Sequence, residues 1–297
     1  MFDLRYHVVS LVAVFIALIV GIIVGVGMSD RGLLRAGERR VLEGEIRSLQ
    51  RELDAAKTRQ ARDADEQDAA ETLLGQFYPR LVDGRLRGRR VALVFVGSVD
   101  DAVSRALRQG LSDAGAPGPL RMRALTVPID LRLAYRTLAR ARLTDFVGRE
   151  RLRELGAELA REFVAGRETP LWEALTPQLV AERSGSAAPA VDGVVVARTA
   201  EPQRDGTARL LGGFYAGLAG AGVPVVGVET AELEPSTLEV FTSAGLSTVD
   251  SVETPTGRLA LVLLLAGGTP GSYGLGAQAP DGPIPPLDSV PEPPPRG

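Results

Sequence analysis

Apolar and polar positions divide the chain into four stretches of different character. Residues 8–28, VVSLVAVFIALIVGIIVGVGM, carry no charge, and the nearest charges are Arg5 and Asp30. As a helix this run is about 31 Å long, close to the ~30 Å hydrocarbon core of a bilayer. Lipid offers no partner for backbone N–H and C=O groups, so the pattern predicts a single transmembrane helix, an N-terminal anchor over residues 1–30. A cleaved signal peptide would have a shorter apolar core behind a more basic leader, and retention is the expectation. Within the run Ala13, Ala17, Gly21 and Gly25 recur at four-residue spacing. Such a stripe of small side chains lets two helices approach closely, although glycine is common in membrane helices in any case.

The second stretch, residues 31–78, is polar and rich in helix formers. Leu42, Ile46, Leu49, Leu53 and Ala56 step by four, three, four and three residues, the alternation of a heptad seam. Glu52 and Lys57 then fall at positions that pair across a parallel two-stranded coil. The reading is a coiled-coil stalk, with a solvated single helix as the alternative. Pro79 disfavours helical backbone before it and predicts an end at Tyr78. Residues 80–90, RLVDGRLRGRR, hold five arginines. They read as a solvated connector rather than a patch for anionic lipid or nucleic acid.

From residue 90 to 268 the pattern alternates between strand and helix. Residues 91–96 (VALVFV), 191–197 (VDGVVVA) and 223–228 (VPVVGV) are apolar runs of the kind buried on both faces of a parallel sheet. A weaker strand is expected over 122–127 and a brief one over 247–249. Helices are expected over 100–114, 145–163, 170–180, 207–220, 235–243 and 255–266, and a loop over 184–189. The glycines of 207–220 suggest close helix packing. Repeated βα units imply an α/β domain with a doubly wound, mostly parallel, Rossmann-like sheet. Residues 269–297 are glycine-rich and then hold eight prolines from 280 onward. That composition predicts a disordered tail.

Composition narrows the chemistry. Net charge is −3, from 34 basic and 37 acidic residues, so nothing points to nucleic acid as a partner. The chain has no cysteine, one histidine (His7) and three methionines (Met1, Met28 and Met122), so thiolate sites and disulfides are excluded and soft metal ligands are scattered. The first strand–helix turn, VFVGSVDDAV, has one glycine where a dinucleotide fingerprint needs three, and no Walker lysine follows. Asp100 and Asp101 at a helix start read as caps. Glu229 and Glu232 occupy the usual ligand edge of such a sheet, but one acidic pair among so many carries little weight. No catalytic set, cofactor site or Ser-His-Asp triad emerges, and the expectation is a protein that is not an enzyme.

Two segments carry a family resemblance. DLRYHVVSLVAVFIALIVGIIVG near the start, with Arg5, His7, Ser10, Leu11, Ala13, Val14 and Phe15 as its distinctive positions, resembles the opening of the actinobacterial MctB-like family of copper transporters. VDSVETPTGRLALVLLLAGGTPGSYG, residues 249–274, is similar to that family's closing segment. The resemblance implies a membrane protein of the cell envelope tied to copper efflux or homeostasis, as an oligomer, with copper as a transported ion rather than a bound cofactor. The residues themselves support a membrane-tethered homo-oligomeric scaffold, and a scaffold without a metal role stays open. The lipid bilayer and further copies of the chain are the expected partners. Arginines at 31, 35, 39 and 40 would keep the following domain inside by the positive-inside rule. The resemblance places it on the extracytoplasmic side, and long domains translocate largely regardless of charge.

Overall fold

The computed structural model describes residues 4–27, 31–233 and 235–293; within the first two helices, side chains are described for residues 11–24, 45–62, 65–66 and from 69 onward. The chain divides into two compact units, Met1–Gln67 and Asp68–Gly297.

The first unit contains helix α1, Leu4–Gly27, and most of α2, Arg31–Val82. The large apolar side chains of residues 11–24 are all 51–65 % exposed, so this part of the helix is apolar on every side. The expected transmembrane helix is corrected: among the described residues no helix is long and apolar enough to cross a membrane. The stretch from residue 11 to 24 reaches only about 21 Å as a helix, against ~30 Å of hydrocarbon. Residues 8–10 and 25–27 have no described side chains, and Met28 lies outside the described residues.

The second unit is a seven-stranded sheet with helices on both faces. Its elements after α2 are β1 (Val91–Val96), α3 (Asp101–Asp113), β2 (Pro119–Leu125), α4 (Leu131–Arg140), α5 (Leu152–Ala165), α6 (Pro170–Leu179) and β3 (Val180–Gly185). They continue as β4 (Gly193–Arg198), α7 (Asp205–Ala219), β5 (Val225–Val228), α8 (Leu238–Thr242), β6 (Ser247–Val249), α9 (Pro255–Leu265) and β7 (Ser272–Tyr273). The strand order is β3-β2-β1-β4-β5-β6-β7, with β3 antiparallel to β2 and every other pairing parallel.

Successive strand residues point to opposite faces, and β1 divides accordingly. Val91, Leu93 and Phe95 join a core formed with α3, α9 and the end of α2, while Ala92, Val94 and Val96 join one formed with α4 to α8. Helix α9 is enclosed throughout Leu259–Leu265. In the second core Phe163, Trp172, Phe214, Tyr215 and Phe241 form a chain of tilted and edge-to-face rings 5.2–6.4 Å apart.

Helix α2 does not stop at Tyr78 as expected but runs through Pro79 to Val82. Tyr78 and Val82, spaced by one helical turn, are buried against the sheet with Leu86. The Arg258 guanidinium lies 5.5 Å from the Tyr78 ring centroid, and the Thr256 hydroxyl donates to Glu71. The Asp83 N–H reaches the Pro79 carbonyl at 3.2 Å. Packing of this face outweighs the one N–H that proline removes. Burial, reinforced by Asp113, pushes the Tyr78 hydroxyl up to about 12, so it stays neutral.

The expected disordered tail is also corrected. Ser272 and Tyr273 pair with Thr248 and Val249 as β7, and Tyr273 and Val290 are buried in the first core. The Ser272 N–H donates to Asp281 at 2.8 Å, and Arg85 donates to the Pro291 carbonyl at 3.0 Å. Order comes from distant acceptors and core contacts, which local composition does not register.

Helices α5 and α7 lie in direct contact because glycines permit it. A Cβ at Gly213 would strike the Arg153 backbone, and one at Gly156 the backbone at Leu210 and Phe214. Gly212, one residue away, faces open space. Gly213→Ala is expected to lower stability by about 1–3 kcal/mol through overpacking. Gly212→Ala is expected to be neutral or to stabilise by up to about 1 kcal/mol. Denaturant unfolding followed at Trp172 checks both; equal effects at the two positions would contradict the close approach.

Candidate functional site

Parallel sheets take ligands beyond the carboxyl ends of their strands, above all where the strand order reverses. Here that point lies between β1 and β4, which neighbour each other while β2 continues to the other side of β1. The crevice is filled by the chain itself. The N–H groups of Thr199 and Ala200 both donate to the Val96 carbonyl at 3.1 Å, and the Thr199 hydroxyl donates to the Ser98 carbonyl at 2.8 Å. Gly97 has φ of +111°, and a Cβ there would lie 2.8 Å from the Ala200 nitrogen. The glycine that a nucleotide fold would turn toward phosphate here admits a loop. Buried Arg198 fixes that loop, donating to the Ala200 and Glu201 carbonyls at 3.0 and 2.7 Å.

Asp100 accepts from the Val103 N–H at 2.8 Å and caps α3, while Asp101 lies exposed in the first turn. Both serve the helix start.

Further along the same edge, a cavity of about 640 Å³ opens beyond β5 and β6, lined by Glu229, Ser236, Asp250, Ser251 and Gln278 among others. Glu229 and Asp250 are both buried at the mouths of their strands. Glu229 accepts from the Ser236 hydroxyl at 2.6 Å and the Thr237 N–H at 2.8 Å, closing the loop before α8. Asp250 accepts from the N–H groups of Leu275 and Gly276 at 2.7 and 2.9 Å, fastening the segment after β7. Each carboxylate gains charge-assisted bonds in place of lost hydration. Glu232 is exposed and does not join Glu229. The acidic pair considered in the sequence is therefore not assembled; its buried member has Asp250 as its counterpart on the neighbouring strand.

The opposite edge holds the arginine-rich connector. Asp192 accepts from the Arg90 backbone at 2.9 Å and from its guanidinium at 3.0 and 2.9 Å, which holds the carboxyl below the usual range. Arg85 donates to the Leu81 carbonyl at 3.0 Å. These arginines brace the domain at the start of β1 and β4.

The helix residues singled out in the sequence are distributed as follows. Ala13, Ala17 and Gly21 lie on one exposed face of α1, and Gly25 lies in the same helix with its surroundings outside the described residues. Ile46, Leu49, Leu53 and Ala56 lie exposed along α2; Leu42 belongs to the helix, its side chain outside the described set. His7 lies in α1 without a described side chain, Met1 and Met28 lie outside the described residues, and Met122 packs against the first core. Among the described residues no three His, Asp or Glu side chains form a group that could hold a metal ion.

The architecture is that of a mostly parallel α/β domain preceded in the chain by two long helices, with the loops along its ligand edge clamped by buried carboxylates and an arginine. The chain belongs to the MctB family of copper transport outer membrane proteins, whose model matches residues 1–283. No curated protein matches it.

Asp250→Ala is expected to cost about 1.5–3 kcal/mol, the range for hydrogen bonds to a charged group. Faster hydrogen exchange at the Leu275 and Gly276 amides, with the α5–α7 amides unchanged, is the local signature; protection at 275 and 276 as in the parent chain would contradict the clamp.

Proposed function

We propose that the chain works in copper transport or homeostasis at the cell envelope as a homo-oligomer, with copper as cargo and with no catalytic step of its own. The observation that carries this reading is the family match over residues 1–283. The oligomer is supported by the seam on α2, where Ile46, Leu49 and Leu53 are 48 %, 62 % and 54 % exposed at heptad spacing. Apolar side chains in that register gain most from a second copy of the same helix. The stripe of Ala13, Ala17, Gly21 and Gly25 is the second contact of the same association.

A scaffold without a metal role is the second reading. Zero cysteines, one histidine and three dispersed methionines favour it, because a soft-metal carrier relies on clustered thiolate or thioether ligands. Growth of a deletion strain over a copper series separates the two. Copper sensitivity of the deletion strain, relieved by the intact gene, is the expected result, and copper-independent growth leaves the scaffold. In the same strain Leu49→Cys is expected to crosslink to itself on oxidation and Arg51→Cys, on the outer face of the heptad, is not. Equal crosslinking at both would remove the seam.

The α/β domain is assigned to the extracytoplasmic side on the family's envelope role. Protease added to intact spheroplasts is expected to digest it. Protection until lysis would reverse the orientation.

A further inference from the structure

One cavity outside these features is built around positive charge. It lies between the β2–β3 edge of the sheet and helices α5 and α6, has a volume of about 240 Å³, and is lined by Arg121, Arg123, Arg183, Trp172 and Thr176, with Glu162 and Glu173 on its wall. Arg121 is 1 % exposed, the largest fully buried side chain in the domain. It donates to the Phe163 carbonyl at 2.8 Å and to the Pro189 carbonyl, while its Nε–H is buried with no acceptor. Arg123, two residues along the same strand and so on the same face, is 9 % exposed and bonds only carbonyls, those of Met122 and Ser184 at 2.7 and 3.1 Å. Arg183 stands directly opposite Arg123 in the antiparallel register.

Like charges facing each other across strands are destabilising, and a buried charge with no counter-ion is costly. None of the three arginines pairs with a carboxylate. Glu162 is engaged elsewhere, accepting from the Leu171 and Trp172 N–H groups at the start of α6 at 3.0–3.1 Å. Glu173 is exposed. Burial, with Arg123 and Arg90 adding repulsion, pulls Arg121 down to about 10, and burial with Arg183 pulls Arg123 in the same direction. Main-chain carbonyls solvate these guanidinium groups without neutralising them.

We propose that this cavity is a binding site for a small free oxyanion, a phosphate or a short dicarboxylate, held by Arg121, Arg123 and Arg183. A multidentate oxyanion matches the planar donor fork of arginine and supplies the missing counter-charge. The cavity admits a small anion and no extended chain. The site is independent of the copper reading and stands or falls without it.

Trp172 provides the probe, because it is the only tryptophan of the chain and lines the cavity. The full chain is titrated with inorganic phosphate and, separately, with succinate, at constant ionic strength against chloride. Saturable change in Trp172 fluorescence with either anion, together with a raised melting temperature, is the expected result, and the tighter of the two fixes the class. Arg183 sits on the exposed edge strand, so Arg183→Gln folds; it is expected to weaken binding about tenfold, the loss of one charge-assisted bond. Arg123→Gln is expected to weaken it further. No saturable signal from either anion overturns the proposal. So does binding that survives Arg183→Gln and Arg123→Gln unchanged.

Discussion

Strand β1 has no side that meets water. All six of its residues are at most 1 % exposed, and its neighbours β2 and β4 are parallel to it. A parallel pair cannot be joined by a tight turn, so each connection becomes a crossover with a helix. Those helices cover both faces because both faces are apolar. The two cores, the enclosed α9 and the docking of the last turns of α2 all follow from burying this one strand. At about 25 cal/mol per Å² of apolar surface, two continuous cores supply the main driving force for the fold.

The same constraint explains what was legible in the sequence. VALVFV, GVVVAR and VVGV announce themselves as strands because burial on both sides demands an unbroken apolar run. Helix α3 was readable from its amphipathic spacing and from Asp100 ahead of it. Helix α4 was missed; its signal was Asp130 accepting from the Leu133 N–H, with Ala134 and Leu138 one turn apart on the buried side. Strand β3 could not be read, since VAERSG has no alternation and is a strand only because β2 pairs with it. The residues after 268 looked like a solvated tail, and only the fold brings Asp250 and Thr248 to them.

Site residues divide in the same way. The lone glycine after β1 marks the turn, but nothing in the sequence hints that Thr199 and Ala200 fold back onto the Val96 carbonyl there. The arginine cavity was hidden because the weak strand expected over 122–127 includes Arg123 but not Arg121, whereas β2 spans Pro119–Leu125 and holds both. Their alternation with Leu120, Met122 and Ala124 was the available signal: charged side chains repeatedly directed to one face of a strand inside the domain. Whether that face is wet or dry is a property of α5 and α6, more than forty positions away for Phe163.

The two borders of the sheet also determine what the domain does not do. An edge strand with a straight row of unpaired N–H and C=O groups is a template on which another chain can crystallise its own backbone. At one border β7 offers only two residues. At the other, β3 is short, carries Glu182 and Arg183, and breaks register against β2 between Ala124 and Leu125. Neither margin supports runaway growth into a continuous ribbon. Copies of the domain brought close together would therefore meet through side-chain surfaces alone, without their sheets fusing into fibrils.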